Sequence, residues 1–75
     1  ARREKGDLAG AIEDASRAIS IDARLAMAWL NRGVARYRTG DARGALADFQ
    51  KYLEIAPDGP HAGAAMTAIG RLRGR

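Results

Sequence analysis

Cysteine is absent from this chain of 75 residues. Its absence excludes disulfides, thiolate nucleophiles and cysteine-based zinc sites, and it removes any redox indication of compartment. Histidine occurs once, at His61, and the carboxylate nearest to it in sequence is Asp58. One histidine with so few potential partners does not make a metal site or a histidine base. We therefore predict no metal and no cofactor.

Other catalytic arrangements are also missing. Ser16 and Ser20 lie one helical turn apart, but no base is adjacent to activate either hydroxyl. Glu13 and Asp14 are neighbours, so on a helix they point about 100° apart. They are better interpreted as part of a solvated face than as a catalytic carboxylate pair. The glycines of residues 40–44 lack the spacing of a phosphate-binding loop. The sequence predicts that the chain is not an enzyme.

Long apolar runs are absent too. No run approaches the roughly 18 residues that a membrane-spanning helix needs. The first residues, Ala1-Arg2-Arg3-Glu4-Lys5, lack the apolar core of a signal peptide, which favours a cytoplasmic location. The chain also lacks an initiator methionine, so we expect it to be a fragment of a longer parent chain that contains adjoining repeats or another domain.

Charge is moderately basic, with 13 Lys and Arg against 9 Asp and Glu, a formal net charge of +4. Such a balance permits nucleic acid, anionic membrane or acidic-peptide partners without choosing among them. A nucleic-acid surface would depend on Arg32, Arg36, Arg38 and Arg43, with Arg71, Arg73 and Arg75 behind them. Acidic residues interspersed through most of the chain disfavour this alternative, and solvated arginine surfaces are the simpler interpretation.

An internal repeat becomes visible when the chain is shifted by 34 residues. Residues 6–21 then match residues 40–55 at 6 of 16 positions, where about one identity is expected from ordinary residue frequencies. The identical pairs are Gly6/Gly40, Asp7/Asp41, Gly10/Gly44, Ala11/Ala45, Asp14/Asp48 and Ile21/Ile55. The sequence therefore contains a duplicated unit.

Each copy has the apolar spacing of a helix. Three- and four-residue steps line one face of residues 8–19, and the same phase returns in residues 45–53. Gly6-Asp7 and Gly40-Asp41 are predicted to end one helix and cap the next, and Asp22 to cap a helix that begins near Arg24. A last helix is expected after Asp58-Gly59-Pro60. No useful stretch alternates with period two, so the predicted fold is all-α.

Residues 26–59 resemble a tetratricopeptide repeat, whose 34-residue unit carries W-x2-L-G-x2-Y, then A-x3-F, then P. The matching residues, in order and at the right spacing, are Trp29, Gly33, Ala45, Phe49 and Pro57. The small Gly33 and Ala45 would let two helices approach, and Trp29 and Phe49 would fill the space between them. Arg32 stands where the pattern has Leu, and we expect its stem to pack while its guanidinium reaches water.

The resemblance implies antiparallel helix-turn-helix repeats stacked as a right-handed α-solenoid. Residues 1–24 would form a partial first repeat, the end of its first helix plus its second helix. Residues 25–58 would form a complete repeat. Residues 59–75 would form a C-terminal capping helix and basic tail.

The resemblance also implies a function, a protein-interaction scaffold that presents a concave groove to a peptide or partner protein. First helices line that groove, so the implied partner-binding residues are Met27, Leu30, Asn31, Val34, Tyr37 and Arg38. Neighbouring helices could instead cover some of these side chains, Leu30 and Val34 above all. The alternatives are an arginine-mediated nucleic-acid surface and a structural appendage that braces an upstream catalytic domain.

Overall fold

The computed structural model describes the backbone of residues 3–74 and the side chains of residues 7–74. Four helices follow one another: α1 (Arg3–Ile21), α2 (Ala26–Thr39), α3 (Ala42–Ile55) and α4 (Ala62–Arg73). Each helix packs mainly against its neighbours in sequence, α1 on α2, α2 on α3 and α3 on α4. No strand occurs between residues 3 and 74. The predicted all-α class is confirmed.

The turn between α2 and α3 forms at Gly40-Asp41, as predicted. Gly40 has a φ of 91°, in the left-handed region that closes a helix most easily at glycine. Its N–H donates to the carbonyl of Tyr37 at 3.2 Å, and the N–H of Asp41 donates to that of Arg36 at 2.9 Å. The Asp41 carboxylate then accepts from the Gly44 N–H at 3.0 Å and caps α3.

The equivalent break predicted at Gly6-Asp7 is wrong, because α1 runs without interruption from Arg3 to Ile21. The two dipeptides are identical, so local chemistry alone does not decide the matter. At Gly40-Asp41 the chain reverses because α2 and α3 bury a large common surface. The same dipeptide at Gly6-Asp7 lies inside α1. There the helix simply continues.

The prediction that Asp22 caps α2 is also wrong in detail. α2 begins at Ala26, and its N-cap position is Leu25, which makes no side-chain cap. The Asp22 carboxylate instead accepts from the Arg24 N–H at 3.0 Å, inside the turn that precedes the helix. Trp29 ties the same turn down, since its indole N–H donates to the carbonyl of Ala23 at 2.8 Å.

The core lies between α2, α3 and α4 and contains Leu30, Ala45, Phe49, Tyr52, Ala62 and Ala65. A Cβ added to Gly33 would lie 2.9 Å from Phe49 Cε1 and 3.1 Å from Asp48 Cβ. The expectation that Gly33 admits a large ring is thus confirmed for Phe49. Trp29 is only partly buried and packs at the margin of this core.

The turn between α3 and α4 is built around Tyr52, which is 1% exposed. Its hydroxyl accepts a hydrogen bond from the backbone N–H of His61 at 3.1 Å. Gly59 leaves room for that hydroxyl, since a Cβ at Gly59 would overlap it. The His61 side chain is exposed at the N-cap position of α4. α4 therefore starts at a polar contact with the end of α3.

Candidate functional site: the exposed face of α2

Five side chains form one exposed face of α2, which we call the α2 face: Met27, Asn31, Val34, Tyr37 and Arg38. Met27 is 45% exposed, Val34 41% and Tyr37 44%. Their spacing of three and four residues places them along one side of the helix. All five were among the residues implied by the sequence resemblance.

Leu30 is a correction to that implied set. It is 7% exposed and belongs to the core cluster with Phe49, Tyr52 and Ala65. Leu30 follows Ala26 by four residues, so both lie on the side of α2 that packs against the core. A partner cannot contact Leu30 without opening the core, so it is excluded from the α2 face.

On one side, the α2 face borders α4. Tyr37 lines two neighbouring cavities of about 580 Å³ and 240 Å³. Their α4 residues are small or apolar with one cation, namely Ala64, Thr67, Ala68, Gly70, Arg71 and Leu72. Tyr37 and Arg71 therefore lie at the same groove, between α2 and α4.

On its other side, the α2 face borders α1. A cavity of about 480 Å³ is lined on the α2 side by Asn31, Val34, Ala35 and Arg38. The α1 side contributes Leu8, Ala11, Asp14 and Ala15. We call this space the α1–α2 cleft. It is largely apolar, with one carboxylate and one guanidinium at its margin.

Charge is distributed unevenly among the helices. α2 and α4 contain arginines but no acidic residue, whereas α1 and α3 both contain carboxylates. Among the described side chains, Arg38 and Arg71 form no ion pair with Asp or Glu within 4 Å. The α2 face and the facing side of α4 consequently present positive charge beside apolar groups.

Arg32 behaves differently from the sequence expectation, which placed its guanidinium in water. Its Nε donates to Asp48 Oδ2 at 3.0 Å and its Nη2 to Asp48 Oδ1 at 2.9 Å, a bidentate pair. Asp48 is fully buried at 0% exposure, and a buried carboxylate needs a cation within hydrogen-bond distance, which holds the Arg32 guanidinium inside the interface. Its Nη1 also donates to Ser16 Oγ at 3.1 Å, and Trp29 lies 5.0 Å from its Cζ.

Arg36 completes the cluster, with its Nη1 donating to Asp48 Oδ2 at 3.3 Å. Two of the four arginines on which a nucleic-acid surface would depend are therefore occupied inside the protein. The structural role of Asp48 was not predicted from the sequence, although its position in α3 indicated burial. It shares the apolar phase of α3 with Ala45, Phe49 and Tyr52, and it repeats at Asp14.

The described residues contain no group of three or more His, Asp or Glu side chains that could hold a metal. None of the four helices, over the residues described, has the length and apolar character needed to cross a membrane.

Four helices joined by short turns, each packed mainly on its neighbours in sequence, define an all-α helical-repeat domain. A family model described as the tetratricopeptide repeat matches residues 2–70, and the chain belongs to that family. Proteins of this family generally mediate protein–protein interactions, and the repeats themselves are a non-catalytic fold. Comparison with curated proteins and with solved structures gave no match.

Proposed function

We propose that this chain is a protein-interaction module and that the α2 face, with the adjoining side of α4, is its binding surface. The observation that supports the proposal most directly is the exposure of Met27, Val34 and Tyr37 along one side of α2. Large apolar side chains grouped on a surface are a common property of protein-binding sites. Membership in an interaction family points the same way.

The side chains of the α2 face suit a peptide ligand. Met27 is unbranched and can adapt to several ligand shapes, and Tyr37 offers a rigid ring beside a polar hydroxyl. The Asn31 amide can both donate to and accept from an extended peptide backbone. Arg38 can bind a ligand carboxylate. We infer a partner segment that combines an apolar side chain with a nearby acidic group.

A display library of random peptides, selected on the immobilised chain, would test the proposal. We expect ligands with micromolar dissociation constants, and we expect the Tyr37→Ala/Arg38→Ala double variant to bind them about tenfold or more weakly. The matched control is Arg43→Ala/Gln50→Ala, which removes two exposed side chains from α3. Selected peptides that bind wild type and the Tyr37/Arg38 variant equally would refute the assignment of this face.

The same protein samples separate this function from its alternatives. An arginine-mediated nucleic-acid surface predicts retention on single-stranded DNA that weakens steeply between low and physiological salt. A brace for a catalytic domain predicts no selectable peptide at all. Either result would contradict the proposed function.

A further inference from the structure

The turn between α3 and α4 contains the one Asp-Gly pair of the sequence, Asp58-Gly59, whereas every other aspartate precedes Leu, Ala or Phe. In an Asp-Gly pair no side chain stands beside the backbone nitrogen that follows the carboxyl group, so this nitrogen can approach the carboxyl carbon closely. Asp58 is exposed, and among the described side chains it forms no ion pair within 4 Å. Its carboxyl group is therefore free to react with its own backbone.

The reaction open to this pair is isomerisation through a cyclic imide. The Gly59 nitrogen attacks the side-chain carboxyl carbon of Asp58, a C–N bond forms, and the carboxyl hydroxyl leaves as water with the amide proton. Water then adds to one of the two imide carbonyls and opens the ring. Opening at the side-chain carbonyl restores aspartate, whereas opening at the main-chain carbonyl leaves an isoaspartyl linkage through the Asp58 Cβ. The product has the mass of the starting chain, and no oxidant, reductant or cofactor is required.

The folded turn holds Gly59 by both of its backbone groups. Its N–H donates to the carbonyl of Ala56 at 3.0 Å, and its carbonyl accepts from the N–H of Ala62 at 3.0 Å. Attack on Asp58 removes the proton from the Gly59 nitrogen, so the hydrogen bond to Ala56 must break first. The reaction therefore proceeds from an opened turn, and its rate follows the population of that opened state.

The isoaspartyl chain is too long for the turn as it stands. The linkage places one additional carbon, the Asp58 Cβ, in the main chain directly ahead of Gly59. The glycine has little space to move, because even a Cβ added to it would overlap the Tyr52 hydroxyl and lie 3.0 Å from the Ala56 Cβ. The same hydroxyl accepts from the His61 N–H at 3.1 Å, so a shift of Gly59 also disturbs the polar contact between α3 and the start of α4.

We propose that Asp58-Gly59 is a site of spontaneous isoaspartate formation, that opening of the α3–α4 turn controls its rate, and that the product releases the start of α4 from α3. The inference goes beyond the proposed function and does not depend on it, since the reaction needs no ligand. Because α4 lies along the groove beside the α2 face, the modification alters that groove through the backbone.

Incubation of the intact chain in neutral buffer at body temperature tests the site. Trypsin releases residues 52–71 as one peptide, in which Asp58 is the only aspartate. Electron-transfer fragmentation in a mass spectrometer then distinguishes the isoaspartyl from the aspartyl form. In the chain unfolded by urea, isoaspartate should accumulate at Asp58 about tenfold or more faster than at Asp22 and Asp41, which precede alanine.

The role of the turn is tested by comparing rates at Asp58. Folding should slow the reaction about tenfold or more relative to the chain in urea, because the Gly59 N–H is held. Tyr52→Phe removes the hydroxyl contact with His61 and should raise the folded-state rate about threefold. Tyr37→Phe, at an exposed tyrosine on α2, is the matched control and should leave the rate within about twofold of wild type.

The consequence for α4 is measured on the isoaspartyl protein after its separation by ion-exchange chromatography. Amide hydrogen exchange at Ala62 should be about threefold or more faster than in the unmodified protein, with exchange in α1 unchanged. Asp58→Glu keeps the carboxylate but must close a larger ring, so after the same incubation it should contain no isomer at this position and show no such change.

Three results would overturn the inference. Equal rates at Asp58, Asp22 and Asp41 in urea would remove the site. Equal rates at Asp58 in the folded and unfolded chain would remove control by the turn. Unchanged exchange at Ala62 in the isoaspartyl protein would show that α4 stays attached.

Discussion

Arg32 on α2 and Asp48 on α3 form a bidentate ion pair, with contacts of 3.0 and 2.9 Å, inside the interface of the two helices. The pair lies beside a close contact of the two helices, since a Cβ added to Gly33 would lie 2.9 Å from Phe49 Cε1 and 3.1 Å from Asp48 Cβ. The family pattern has Leu at the position of Arg32, so in this chain a charge pair replaces an apolar contact.

Replacement of Arg32 by Leu, the residue of the family pattern, is expected to destabilise the protein. It leaves the Asp48 carboxylate buried with Arg36 as its remaining cation, and breaking a buried pair in this way costs about 3–5 kcal/mol. A chain of this size has a total stability of roughly 4–11 kcal/mol, so helix content itself should fall. Urea denaturation followed by far-ultraviolet circular dichroism measures the loss.

Arg43→Leu is the control for that experiment, because Arg43 is exposed on α3. Its effect should stay within about 0.5 kcal/mol. If Arg32→Leu were equally mild, the ion pair would not be a major stabilising contact.

Gly33→Ala tests the close approach of α2 and α3. The added Cβ would lie 2.9 Å from Phe49 Cε1 and 3.1 Å from Asp48 Cβ, so the helices must separate or the ring must move. Overpacking of this kind costs about 1–3 kcal/mol, which exceeds the gain of up to 1 kcal/mol in helix propensity. Chemical denaturation should therefore show a net loss.

Gly10→Ala is the matched control for Gly33→Ala. Gly10 lies inside α1, and a Cβ there would meet nothing within 4 Å. Only the higher helix propensity of alanine should then contribute, and it should raise the free energy of unfolding by about 0.5–1 kcal/mol. Opposite signs for the two substitutions are the expected outcome, and a stabilised Gly33→Ala variant would contradict the packing argument.

Gly40→Ala should destabilise the α2–α3 turn by about 1–2 kcal/mol, because an L side chain is strained at a φ of 91°. Gly40→Asn should lose less, since asparagine visits the left-handed region more readily. Thermal unfolding of the two variants beside wild type gives the ranking, and equal losses would indicate that the turn changes conformation.

Tyr52→Phe removes the hydroxyl that accepts from the His61 N–H while leaving the buried ring in place. We expect a loss of about 1 kcal/mol. Amide hydrogen exchange should accelerate at His61 and through the first turn of α4, with little change in α1. Unchanged exchange at His61 would show that this contact does not hold the turn.

Much of the fold could be predicted from the sequence because the chain repeats itself. The helical apolar spacing predicted the helices, the resemblance to the tetratricopeptide repeat implied the pairing of α2 with α3, and Gly40-Asp41 predicted the turn between them. Gly33 was also placed at a close helix contact. These features depend on local residue types, which the sequence displays directly.

Features that depend on distant partners could not be predicted. Asp48 shares the apolar phase of α3, but no local pattern shows that Arg32, sixteen residues earlier, packs onto it. Gly6-Asp7 has the same two residues as Gly40-Asp41, yet it lies inside α1, whereas at Gly40-Asp41 the chain turns and α2 packs on α3. Leu30 shares the periodicity of the α2 face, but the docking of α4 helps to place it inside. The binding role of the α2 face stays a prediction.

The side chain of Arg32 touches groups on three helices: Ser16 on α1, Trp29 on its own helix, and Asp48 on α3. A single guanidinium therefore connects α1, α2 and α3, so these three helices should unfold as one cooperative unit. α4 packs mainly on α3, and among the described residues none on α4 hydrogen-bonds that guanidinium. Fluctuations should therefore be largest in α4. The groove between α2 and α4 could then widen for a bulky ligand while α2 keeps its position.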